Sequence, residues 1–110
     1  MLERTRARLL VGIFPEGRVN TDRDRLLKGR VGPAYLSLET GVPVIPAGIR
    51  LSAAQPGCAT PHAPLEIRIG VPLIPPRLPP EGAAIADLPV WHAAIMGEIG
   101  RLSGKAWGSA

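Results

Sequence analysis

The sequence predicts a small α/β domain with a mainly parallel or mixed sheet and flanking helices. Three observations predict it. Short apolar, β-branched runs stand at 10–14, 42–49 and 64–73. Helical spacing of apolar residues separates the first two and returns near the C-terminus. The order strand–helix–strand over 10–49 suits a right-handed crossover between parallel strands. A chain of 110 residues is enough for one domain and not two. Hydrophobic residues make up 45% and aromatics only 4%, so Val, Ile, Leu and Ala must fill the core. Thirteen prolines and thirteen glycines predict short elements and irregular connections.

The elements follow in order. Residues 1–9 read as a short arginine-rich helix, and "LVGIF" at 10–14 as a buried strand. Residues 15–30 form a polar, basic loop. "VGPAYLSLETG" reads as a helix: Pro33 suits its first turn, Ala34 and Leu38 share a face, and Gly41 suits the C-terminal cap. "VPVIPAGI" at 42–49 reads as a second strand, which its two prolines demote to an edge or force into a bulge. Residues 50–63 read as a loop. "PLEIRIGVPL" at 64–73 alternates Leu65, Ile67, Ile69 and Val71 with Glu66, Arg68 and Gly70, so one face is expected in and one out. "IPPRLPPEG" at 74–82 reads as an extended connector. Ile85, Leu88, Trp91, Ile95, Ile99 and Leu102 recur at helical spacing, with Asp87 as N-cap and Pro89 in the first turn. That helix runs from about 88 to 103, weakened by Gly97 and Gly100. A sheet of three strands beside two good helices is thin, and the sequence reads as part of a larger fold.

Several function classes fall away. Cys58 is the only cysteine, which excludes an internal disulfide and a Cys-rich metal site. No metal-ligand spacing is present. No apolar run approaches the roughly 18 residues of a transmembrane helix, and the N-terminus is too charged for a signal peptide. A cytoplasmic chain, or one peripheral to the cytoplasmic face of a membrane, is expected. The net charge of +4 fits an anionic partner: a phosphate ester, an acidic lipid surface or nucleic acid.

The chemistry concentrates after the first apolar run. "FPEG" at 14–17 is followed by Arg18, Arg23, Arg25, Lys28 and Arg30, and then by a helix start. Loop cations offer charge-assisted bonds to phosphate oxygens, and the helix adds its positive end. The bland alternative is a solvated loop in which Asp22 and Asp24 neutralise their neighbours. Cys58 reads as a small buried hydrophobe, His62 as an exposed loop residue, and His92 as a structural histidine beside the last helix's apolar stripe.

"IFPEG", then "LLKG", then "YLSLETGVPVIPAGI" together resemble the lysophosphatidic acid acyltransferase family, the glycerol-3-phosphate and 1-acylglycerol-3-phosphate acyltransferases. Phe14, Pro15, Glu16 and Gly17 match one family block, Lys28 and Gly29 an intervening Lys-Gly, and Val42 to Pro46 the next block. "LEIRIGVPL" resembles the family's strand before a Gly-x-Pro turn, at Gly70 and Pro72. The resemblance spans about 8–73 and implies one partial, incomplete acyltransferase domain over 1–110. It implies substrate-binding roles for Phe14, Pro15, Glu16, Gly17, Arg18, Lys28 and Gly29, with the acceptor's phosphate on the loop cations. It also implies an acyl-CoA or acyl carrier protein thioester as co-substrate, with no other cofactor, and a phosphorylated glycerolipid acceptor in phospholipid biosynthesis.

Two departures stand out. The family continues Phe-Pro-Glu-Gly with Thr-Arg, where Arg18 and Val19 stand here. The family's base is a His-x-x-x-x-Asp block ahead of that motif, in which Asp orients the imidazole. Here His62 has Ile67 five residues on and His92 has Gly97, both downstream. No catalytic residue is therefore assigned, and a truncated or inactive acyltransferase is expected. The rivals are a non-catalytic module for anionic lipid or phosphate at a membrane surface, and a nucleic-acid binder. Lack of aromatics among the loop cations disfavours nucleic acid.

Overall fold

Pro33 opens the first helix where a missing N–H costs nothing, since the first turn's donors have no intrahelical partner. The structure, a computed structural model, describes residues 10–22, 24–51, 65–77 and 87–108. The helix, α1, spans Gly32–Thr40 and ends on Gly41 at φ 72°, whose N–H reaches the Ser37 carbonyl. Ala34 and Leu38, one turn apart, are buried, as is Ser37, whose hydroxyl donates to the Val42 carbonyl at 2.7 Å. This element stands as the sequence predicts.

The sheet differs from expectation. Among the described residues it has two strands, β1 at Ala47–Leu51 and β2 at Leu65–Ile69, and they are antiparallel, with Ile49 opposite Ile67. The parallel pair expected from 10–14 and 42–49 is not formed. Residues 10–14 form no strand; Leu10 and Phe14 are 91% and 83% exposed. A strand exists only where a neighbouring strand takes up its backbone donors and acceptors, and no described strand does so here. The second strand begins at Ala47, not Val42, because Pro43 and Pro46 have no N–H for a ladder. Pairing resumes as a bridge between Val44 and Leu73, which exchange hydrogen bonds at 2.9 and 2.7 Å. Between Ala47↔Ile69 and this bridge, Ile45 and Pro46 face Gly70, Val71 and Pro72, so one extra residue makes a bulge.

The second helix, α2, spans Asp87–Ser103, close to its expected bounds, with Asp87 in the first turn where the helix dipole favours an acid. Trp91, Ile95 and Leu102 are buried and Leu88 and Ile99 half-buried, as their spacing predicts. Ala34 and Leu38 of α1 meet Trp91 and Ile95 of α2, with Val44 and Leu73 at the margin, and this is the core. At its other end α2 lies on the sheet. A Cβ on Gly48 would stand 2.3 Å from the Ser103 nitrogen. Gly48 pairs with Arg68, so the helix approaches the sheet from the side of Gly48 and Arg68, closing on Gly48 while Arg68 stays exposed. Neither face of β2 is buried, which corrects the expected one-face burial: Ile67 and Ile69 are 58% and 70% exposed, and Glu66 and Arg68 are exposed as well. The expected helix at 1–9, most of the loop holding Cys58 and His62, and the connector beyond Arg77 lie outside the described residues.

Candidate functional site

The Phe14–Gly17 segment is a tight turn. The Gly17 N–H donates to the Phe14 carbonyl at 3.1 Å, with Pro15 and Glu16 at the corners. Gly17 has φ 73°, and a Cβ there would meet the Arg30 side chain at 2.8 Å. The backbone angle is what requires glycine, because the exposed Arg30 side chain can move aside. The Arg30 N–H donates to the Pro15 carbonyl at 2.8 Å, so the loop returns across its own start. Glu16 fastens it from inside. Its Oε2 accepts the Leu27 N–H at 2.8 Å and the Asn20 amide at 3.0 Å.

The rest of the loop is self-bracing. Asn20 Oδ1 accepts the Asp22 N–H at 2.9 Å, and Asp22 Oδ1 accepts the N–H groups of Asp24 and Arg25 at 2.8 and 3.2 Å. The Asp24 and Arg25 N–H bonds hold the Asp22 carboxyl below its usual range, with smaller help from the Lys105 and Arg25 charges. The C-terminal segment straps the loop. Leu26 donates to the Ala106 carbonyl and Ala106 to that of Asp24, both at 2.8 Å. Arg25 spends its guanidinium on the Gly108 carbonyl at 2.6 Å, and Lys105 its ammonium on the Asp22 carbonyl at 2.9 Å.

The Lys28 carbonyl receives both His92 Nε2 and Trp107 Nε1, each at 3.0 Å. A carbonyl only accepts, so His92 Nε2 carries a proton. His92 is buried and edge-on to Trp107 at 5.6 Å between centroids, a structural placement. Gly29 has φ 82°, and a Cβ there would lie 2.9 Å from Met96 Sδ and 3.0 Å from His92 Cε1. The Lys28-Gly29 pair therefore anchors the loop through its backbone, while the Lys28 side chain is exposed.

A groove of about 1120 Å³ opens beside the turn. Phe14, Pro15 and Glu16 line it, together with Leu36 of α1, Met96 of α2 and Ile67 of β2. Arg50 and Lys105 are its cations. Gly17, Arg18, Lys28 and Gly29 do not line it; Lys28 borders a separate cavity of about 420 Å³ with Leu26 and Trp107. The sequence-predicted residues thus share one loop, but Phe14, Pro15 and Glu16 border the groove, Lys28 the second cavity, and Gly17, Arg18 and Gly29 neither. Arg50 was missed by sequence reasoning. A lone cation at the end of a strand carries no signal until β1 and the turn are seen to border one groove.

The Acyltransferase family model matches residues 1–50. That stretch is similar to the acyltransferase family. It holds the Phe14–Gly17 turn, the Lys28-Gly29 anchor, α1 and most of β1, ending on Arg50. The match bears out the resemblance over this part of the chain and supports acyl transfer as the general chemistry. No curated protein and no solved structure matches the chain. Among the described residues of this acyltransferase-like chain, no helix is long and apolar enough to cross a membrane, and no group of His, Cys, Asp and Glu is placed to hold a metal ion.

Proposed function

We propose that this chain binds the acceptor in a glycerolipid-type acyl transfer, in which an acyl group passes from an acyl thioester to a hydroxyl of a phosphorylated acceptor such as lysophosphatidic acid. The observation that carries this reading is the groove bordered by the Phe14–Glu16 turn, within the stretch that matches the acyltransferase family model. Its apolar walls suit an acyl chain, and Arg50 suits a phosphate. The phosphate goes to Arg50 rather than to Arg18 or Lys28 because Arg50 borders the groove and the other two do not. A hydroxyl needs a base to attack a thioester, and these 110 residues have no His-x-x-x-x-Asp block. The base therefore comes from a segment other than these, and this chain alone should turn over acyl-CoA and lysophosphatidic acid at background rate.

The test is equilibrium binding of lysophosphatidic acid against a monoacylglycerol of equal chain length. Lysophosphatidic acid should bind about tenfold more tightly, the scale of one charge-assisted contact. Arg50→Ala should erase that preference, while Arg18→Ala, Lys28→Ala and Arg77→Ala leave it. Equal loss from all four would mean diffuse charge attraction and would overturn the assignment. One observation favours a second reading, a non-catalytic module for anionic lipid surfaces. Phe14 and Val19, 83% and 89% exposed, flank the exposed Arg18. Vesicle binding that depends on anionic lipid and is lost in Phe14→Ala, with no preference for lysophosphatidic acid in solution, would select it.

A further inference from the structure

The outer edge of β2 is self-complementary. In an antiparallel pair, residues alternate between those whose N–H and C=O face the neighbour and those whose groups point away. The Gly70 N–H donates to the Pro46 carbonyl at 2.8 Å, so Gly70, Arg68 and Glu66 face β1. The N–H and C=O groups of Leu65, Ile67 and Ile69 then point outward, and no described strand pairs with them. Exposed edges are normally blunted by proline, a bulge or charged side chains. Between Leu65 and Ile69 this edge has no proline and no bulge, and its two charges, Glu66 and Arg68, are of opposite sign.

We propose that two copies of this chain pair antiparallel through this edge, centred on Ile67, to form a four-stranded sheet in the order β1–β2–β2–β1. The charge pattern specifies the partner. In that register Ile67 meets the second copy's Ile67 and Leu65 meets its Ile69, with all six outward groups on each strand satisfied. Glu66 falls opposite the second copy's Arg68, and Arg68 opposite its Glu66. These are the closer, non-hydrogen-bonded positions, where opposite charges attract most effectively across strands. Arg50 already stands opposite Glu66 within the chain, so charge alternates across the widened sheet. Pairing through β1 lacks this match, because centring on Ile49 sets Arg50 against Gly48. Nor does a one-residue shift of β2 suffice, since it turns the isoleucines to the opposite face of the partner's. The dimer does not depend on the acyltransferase reading.

Sedimentation equilibrium of the full chain measures it. The mass should rise with concentration toward about twice the 11.6 kDa monomer. Glu66→Arg and Arg68→Glu each turn two attractive pairs into two repulsive ones, and each alone should weaken dimerisation about tenfold. An equimolar mixture of the two single variants should restore it, because each then supplies the charge the other lacks. The doubly exchanged chain, Glu66→Arg with Arg68→Glu, should dimerise like the original. Loss of fold in a single variant would not produce rescue on mixing, which separates the proposal from simple destabilisation. A chain that stays monomeric at high concentration, or single variants that dimerise as well as the original, would overturn it.

Discussion

Gly48→Ala should be the most damaging methyl group that can be added to the sheet. The new Cβ would lie 2.3 Å from the Ser103 nitrogen, 2.4 Å from the Leu102 carbonyl carbon and 2.6 Å from Leu102 Cβ. Non-bonded heavy atoms settle at about 3.5 Å or more, so the gap must open by about 1.2 Å. Two of the three neighbours are helix backbone, which cannot rotate aside as the end of a side chain can. The last turn of α2 must lift off β1. Leu102 and Pro46 both pack against Gly70, so that contact is disturbed as well. Overpacking of this kind costs about 1–3 kcal/mol, and rigid backbone neighbours place it near about 3. Restricting the unfolded chain returns only about 0.4–1 kcal/mol, so destabilisation wins. Against a total stability of about 5–15 kcal/mol, a net loss of about 2–3 is large. With a urea slope of about 1.5 kcal/mol per molar, the midpoint should fall by about 1.3–2 M, followed by far-ultraviolet circular dichroism. Gly97→Ala is the internal control. It lies exposed in the same helix with nothing within 4 Å of a Cβ, so it should stabilise by about 0.5–1 kcal/mol. A Gly48→Ala midpoint equal to that of the unaltered chain would refute the close approach of α2 to β1.

Two further outcomes follow from the loop. Gly29→Ala should destabilise by about 2 kcal/mol or more, from a left-handed backbone at φ 82° and from contact with Met96 and His92; the red shift of emission from buried Trp91 and half-buried Trp107 on unfolding would report it. The Asp22 carboxyl, held below its unfolded value by the Asp24 and Arg25 N–H groups, supports the loop above about pH 3.9 and loses that support as pH falls through its lower folded value. Amide exchange at Asp24 and Arg25 should therefore accelerate only in that acid window. Asp22→Asn, which keeps the acceptor oxygen but has no charge to lose, should flatten the acid dependence; an unchanged profile would point to another group.

The helices were legible because their signals are local. Pro33, Gly41 and the Ala34–Leu38 spacing place α1, and the stripe from Leu88 to Leu102 places α2. Turn chemistry at 14–17 was legible for the same reason, since Pro and Gly set backbone angles whatever lies around them. The sheet was less legible because strand identity belongs to pairs. Residues 10–14 carry β-branched apolar side chains yet pair with nothing described, while "LEIRI" pairs, but against β1 and antiparallel. Alternation of apolar and polar residues shows that β2 has two unlike faces. It does not show that a helix approaches over Gly48, where missing side chains let it come close, rather than over the isoleucines.

The loop carries the same lesson into the site. A Lys-Gly pair after a basic run reads as a phosphate ligand, because the ammonium is the visible chemical group. The structure uses the pair through other atoms. The Lys28 carbonyl takes two side-chain donors from α2 and the C-terminal segment, and Gly29 supplies the space that Met96 and His92 fill. Lys28→Ala preserves the carbonyl and the glycine after it, so it should leave the fold intact and test the ammonium alone. Gly29→Ala preserves the ammonium and removes the space, so it tests the anchor alone. If the two variants lose phosphate binding equally while only Gly29→Ala loses stability, the ammonium itself binds and Arg50 is not sufficient. If only Gly29→Ala loses binding, the motif acts by holding the turn against the groove, which is the outcome the geometry favours.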